Sequence, residues 1–122
     1  MTRLNTTLRN ARATAIVTEA GAAAKLSIYT AAYATLLYTS TCAATLGTVS
    51  GGVLTFNAVG DATAVGAGTA AIARLYKSDG TTMVIEDLTV GTSGTNIVVT
   101  STTIAISDVV TTSAGTITEG NA

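Results

Sequence analysis

Histidine, tryptophan and proline are absent from this chain, and cysteine occurs once. Each absence removes a class of chemistry. Without histidine there is no side chain whose ordinary pKa lies near neutrality, so the commonest proton shuttle and metal ligand is missing. The single Cys42 excludes an intramolecular disulfide and any cysteine–histidine metal cluster. It reads as a small buried hydrophobe; a nucleophilic role fails for want of a histidine partner. The lack of disulfides fits assembly in a reducing cytoplasm. No proline guards a strand edge, so exposed edges are adhesive unless something covers them.

Charge is also scarce. Six Lys and Arg and seven Asp and Glu leave a net charge of -1, and charged residues make up 11% of the chain, against a usual share of about 25%. Such a surface has weak colloidal protection against association, which favours a chain that is covered in an assembly over a free monomer with a hydroxyl coat. Six cations give no broad phosphate footprint, so nucleic acid is not an expected partner. Three of them, Arg3, Arg9 and Arg12, fall in the first twelve residues. They read as the solvated side of a terminal helix or as a dock for an acidic partner. Met1-Thr2-Arg3-Leu4 leads into Thr- and Arg-punctuated sequence with no secretory signal. No apolar run approaches the roughly 20 residues of a membrane span.

What the chain has in excess is threonine, with 26 copies, and alanine, with 22. Threonine is β-branched and favours strands. At 122 residues the chain is one domain. Residues 3–20 predict a helix, with Leu4, Leu8, Ala11 and Ala15 on one narrow stripe, Ile16 widening it, Thr2 or Asn5 as cap and Gly21 as terminator. This thin stripe needs a sheet or a neighbouring subunit to hold it. The domain division that follows is residues 1–21, a helix that is an attachment arm or packs on the sheet, and residues 22–122, a β-sandwich.

After Gly21 the period becomes alternating. Lys25–Tyr29, Ala34–Thr41, Val53–Ala58, Ala71–Tyr76, Thr82–Val90, Ile97–Thr100, Thr103–Ser107 and Thr116–Thr118 predict strands, with residues 60–69 as a long surface loop. Asp79-Gly80 between two extended runs is a hairpin signal. The predicted fold is mainly β: a single antiparallel sandwich, jelly-roll or immunoglobulin-like, of seven or eight short strands with an N-terminal α-helix.

No constellation nominates a reaction. Glu86-Asp87 is the only adjacent acidic pair, and strand alternation predicts opposite faces for the two. Asp61, Asp79 and Asp108 are scattered in turns or near strand ends. Gly66-Ala67-Gly68 lacks the third glycine and strand-then-helix setting of a dinucleotide site. No catalytic residue, cofactor or metal is therefore expected. Tyr29, Tyr33, Tyr38 and Tyr76 read as core or strand-pair packing, or as stacking residues of a carbohydrate-binding adhesin.

Several stretches, taken in order, resemble small virion proteins of tailed bacteriophages: Arg9-Asn10-Ala11, Leu26-Ser27-Ile28-Tyr29-Thr30, Ser50-Gly51-Gly52-Val53-Leu54-Thr55 with Asn57-Ala58, Gly68-Thr69-Ala70, Arg74-Leu75-Tyr76-Lys77-Ser78-Asp79-Gly80 and Val90-Gly91-Thr92-Ser93-Gly94. Relatives often carry an aromatic where this chain has Ile72 or Ala73, and often close near a proline, where this chain ends in Thr118-Glu119-Gly120-Asn121-Ala122. The resemblance implies a non-enzymatic structural component, most often a capsid decoration or cement protein. Such a protein is made in the host cytoplasm, binds the major capsid protein on the virion surface and stabilises the shell. It also implies a homo-oligomer, with a trimer at local threefold axes. Head-to-tail joining or a tail location is the alternative within the virion. On this reading the candidate partner-binding residues are Leu4, Leu8, Arg9 and Arg12 on the helix, with Asp61 and Val65 in the 60–68 loop.

Overall fold

A computed structural model describes residues 5–118. In chain order it contains α1 (Thr6–Ala20), β1 (Lys25–Tyr29), a 3-10 turn (Ala31–Tyr33), β2 (Leu36–Thr41), β3 (Gly47–Ser50), β4 (Val53–Phe56), β5 (Ala62–Thr63), β6 (Gly68–Thr69) and β7 (Ile72–Tyr76). These are followed by β8 (Met83–Gly91), β9 (Ile97–Val99), β10 (Thr103–Ile104), β11 (Val109–Val110) and β12 (Thr112–Thr118). Eight strands form one curled, sandwich-like sheet in the order β2-β1-β7-β8-β9-β12-β4-β3. The ribbons β10–β6 and β11–β5 stand beside it. The fold is mainly β with one N-terminal helix, as the sequence pattern predicts.

Alternation builds the core. Leu26 and Ile28 of β1 lie opposite Leu75 and Ala73 of β7, and all four are fully buried. Removing one such leucine or isoleucine side chain from water contributes roughly 1.5–3 kcal/mol. Leu37, Tyr38, Leu46, Leu54, Ile97 and Val99 complete the interior. Cys42 is buried among them, and loss of solvent raises its thiol to about 11.

The β7–β8 hairpin forms where Asp79-Gly80 predicts it. The Lys77 amide donates to Thr82 O at 2.9 Å, and Gly80 adopts φ +72°, which its missing Cβ permits. Asp79 locks the turn. One carboxylate oxygen accepts from the Thr81 and Thr82 amides at 2.8 Å, and the other accepts the Thr82 hydroxyl at 2.6 Å.

Other expectations need correction. Residues 60–69 are not one unpaired loop: they hold β5 and β6, paired with β11 and β10. β3 carries too little apolar alternation to announce itself, and it forms because β4 supplies a partner. The sheet is antiparallel except where β9 runs parallel to β8, through Val90–Ile97 and Gly91–Val98. Asn96 makes that short parallel join workable. Its side-chain oxygen accepts from the Thr89 amide at 3.1 Å, and its amide group donates to Thr116 O at 3.1 Å, tying β8 to β12.

The helix register differs most. Asn5 caps it, accepting from the Leu8 amide at 2.9 Å, and Gly21 ends it. The side that faces the sheet is Ala13, Ile16, Val17 and Ala20 rather than Leu8, Ala11 and Ala15, which are exposed. Leu4 lies outside the described residues. The helix packs beside β3 and β4 with Ala13 and Ala20 buried, and two polar contacts fix it there. Asn10 Oδ1 accepts from the buried Gly52 amide at 2.7 Å, and the Arg9 side chain lies directly over Gly52. The Lys77 ammonium adds an exposed ion pair with Glu19 at 2.9 Å.

Candidate functional site

The described residues carry no pocket and no cluster of three or more His, Cys, Asp or Glu side chains. Candidate sites are therefore open patches, of which two are built from distant parts of the chain.

The first patch is polar and aromatic, on the outer face of β1, β7 and β8. Because Leu26, Ile28, Ala73 and Leu75 point inward, their neighbours Tyr29, Arg74 and Tyr76 stand on the opposite face. A bulge in β8 completes the group. Ala73 pairs with Leu88 and Leu75 with Ile85, so Arg74 alone faces both Glu86 and Asp87. The bulge puts Asp87 at φ +62° and overturns the expected separation of the acidic pair. Glu86 approaches Arg74 Nε at 3.7 Å, while Asp87 reaches Tyr33. The Tyr33 hydroxyl donates to Asp87 Oδ1 at 2.6 Å and accepts from the Asp87 amide at 2.7 Å. The Arg74 guanidinium lies 3.7 Å from the Tyr33 ring centre and 5.6 Å from that of Tyr29, within cation–π range. Tyr29 and Tyr33 meet edge to face with centres 5.2 Å apart. The Tyr29 and Tyr76 hydroxyls are 3.4 Å apart.

The electrostatics follow this crowding. Burial, and then the hydrogen bond to Tyr76, raises the Tyr29 phenol above its ordinary value. Burial and the bond to Asp87 raise that of Tyr33. Burial works against charge on Arg74, but the hydrogen bonds with Tyr76 and Tyr33 outweigh it and raise the guanidinium above its ordinary value. Three of the four tyrosines thus share one patch. Tyr38 does not: it is fully buried in the core. Tyr33 and Asp87 meet across 54 positions of chain, and the only hint of their pairing in the sequence is the acidic pair opposite an arginine strand.

The second patch is apolar, beside β2. The Val65 amide donates to Leu37 O at 2.8 Å, the Ala64 amide to Asp108 O at 2.7 Å, and the Ser107 amide to Ala64 O at 2.9 Å. These bonds set three segments side by side, and each carries an exposed apolar side chain: Leu36 at 39%, Val65 at 66%, and Ile106 and Val109 at 64% and 71%. Val65 belongs to this patch, and Asp61 is exposed just before β5. Leu8 and Arg12 are exposed on the helix, and Arg9 is half-buried over Gly52. The helix packs toward the β3–β4 edge of the strand order and the 60–66 segment follows the β2 edge, so the candidate residues belong to two groups.

Comparison with protein-family models, with curated proteins and with solved structures finds no match to this chain.

Proposed function

We propose that this protein is a structural component of a tailed-bacteriophage particle. In this reading it is a capsid decoration protein that sits on the shell exterior as a homo-oligomer and stabilises the major capsid protein lattice. One observation carries the reading: Leu36, Val65, Ile106 and Val109 are each exposed on segments that backbone hydrogen bonds join side by side. Single exposed hydrophobics are ordinary, but a group of them marks a surface that another molecule covers. The low charge and hydroxyl-rich composition and the ordered stretches that resemble virion proteins support the same reading. Specific attachment takes about 800 Å² per partner, and repetition over a lattice multiplies modest contacts.

Leu8 and Arg12 on the exposed helix face, with Asp61 beside the patch, are the further attachment candidates; Arg9 serves helix docking. Leu4 lies outside the described residues. Deleting residues 1–20 is a poor test, because the helix covers part of the core through Ala13 and Ala20. The better experiment adds purified wild-type, Val65→Asp and Ile106→Asp chains to particles lacking this protein. Wild-type occupancy in proportion to the shell subunits, and its loss in both variants, is the expected result. Occupancy limited to one ring per particle would place the protein at the neck or tail, and occupancy unchanged in both variants would reject the apolar patch as the attachment surface.

A further inference from the structure

We propose that the outer face of β1, β7 and β8, with the 3-10 turn, binds a neutral oligosaccharide through Tyr29, Tyr33, Tyr76, Arg74, Glu86 and Asp87. This site uses none of the apolar flank, so it stands independently of the lattice reading.

Three observations point to this ligand class. First, the three rings are half-buried rather than sealed, so each keeps accessible surface on an open sheet face. Aromatic rings with one polar tip suit ligands that have both apolar C–H faces and hydroxyl edges. Second, the charges balance. Arg74 and Lys25 are matched by Glu86 and Asp87, and Lys25 hydrogen-bonds Thr41 on the same face. A phosphate or sulfate ligand calls for excess positive charge; a balanced set of cationic donors and carboxylate acceptors suits an uncharged polyol. Third, the group is pre-set at a cost. Ala32, Tyr33 and Asp87 hold φ of +57°, +58° and +62°, and they are three of the five non-glycine residues with positive φ among the described residues. Conformations of this kind are unfavourable for residues with a side chain and persist where the surroundings enforce them. Here they aim the Tyr33 hydroxyl and the Asp87 carboxylate at each other beside Arg74, and a rigid polar array binds with less ordering cost. Among the described residues no pocket encloses a monosaccharide, so an extended chain lying across the strands is the form that fits.

The test uses the full chain on an array of neutral hexose and N-acetylhexosamine oligosaccharides, with sialylated and sulfated ones as the charged arm. The strongest neutral binder then goes to calorimetry. The expected result is binding in the neutral arm, weakened at least about tenfold by Tyr29→Ala and by Arg74→Ala and unchanged by Tyr38→Phe, whose ring is in the core. Ring-proton shifts in the wild-type chain supply a readout that needs no variant to fold: they are expected at Tyr29, Tyr33 and Tyr76. An array silent in its neutral arm, binding confined to the charged arm, or shifts clustered elsewhere would overturn the proposal. Loss of particle attachment in Arg74→Ala with a silent array would make the patch a protein contact, and that too rejects it.

Discussion

Tyr33 and Asp87 exchange two hydrogen bonds, hydroxyl to carboxylate at 2.6 Å and amide to hydroxyl at 2.7 Å, and both residues adopt left-handed backbone conformations. The pair clasps the turn after β1 to the bulge of β8. Neither residue would hold that conformation cheaply alone, so the bonds and the strain are coupled. Tyr33→Phe keeps the ring under Arg74 and removes both bonds. We expect a loss of about 1 kcal/mol in urea denaturation, with faster amide exchange at Asp87 and residues 31–33. Unchanged exchange there would mean that ring packing alone holds the turn.

The helix register can be tested with two alanines of the same helix. Ala13 is fully buried and Ala15 is exposed. Ala13→Leu is expected to overpack the contact with the sheet and cost about 1–3 kcal/mol, whereas Ala15→Leu stays within about 0.5 kcal/mol of wild type. Asn10→Ala strands the buried Gly52 amide and is expected to cost about 1–3 kcal/mol. Chemical denaturation of the three variants checks the set; a larger cost at position 15 than at position 13 would restore the Leu8–Ala15 stripe as the packed side.

Asp79 gives a pH dependence with a defined sign. Hydrogen bonds from the Thr82 hydroxyl and amide, then from Thr81, lower its carboxyl from the ordinary 3.8 to about 2. A carboxylate whose pKa falls on folding stabilises the folded state above its unfolded value, and that stabilisation is lost as pH falls through the folded one. The stability difference between wild type and Asp79→Ala is therefore expected to be constant above pH 3.8 and to shrink as pH falls toward 2. Urea midpoints measured across this range check it; a difference that does not vary with pH would assign the effect to turn propensity alone.

Strand positions were legible where alternation was strong. Lys25–Tyr29 matches β1 end for end, and Asp79-Gly80 marks the hairpin, because a two-residue period and a turn dipeptide are local properties. The helix end at Gly21 was legible for the same reason, whereas the start lay open between Thr2 and Asn5, and the helix begins at Thr6 with Asn5 as cap. The packed side of the helix was not legible. An alanine gives almost no hydrophobic vote, so Leu8, Ala11 and Ala15 compete evenly with Ala13, Val17 and Ala20 until the sheet is present. The 60–69 segment looked structureless because a two-residue strand has no period of its own.

Composition by itself determined a mainly β chain with few reactive side chains, since threonine bias and the absence of histidine, tryptophan and proline need no partner to take effect. Only the tertiary structure decided which side chains meet. The bulge at Glu86-Asp87 rotates one carboxylate toward Tyr33 and leaves the other near Arg74, and the pairing of residues 64–66 with β2 and with residues 107–108 gathers Leu36, Val65, Ile106 and Val109. Both patches join residues far apart in the chain, and the long-range strand pairing that brings them together cannot be read from the local pattern of any one segment.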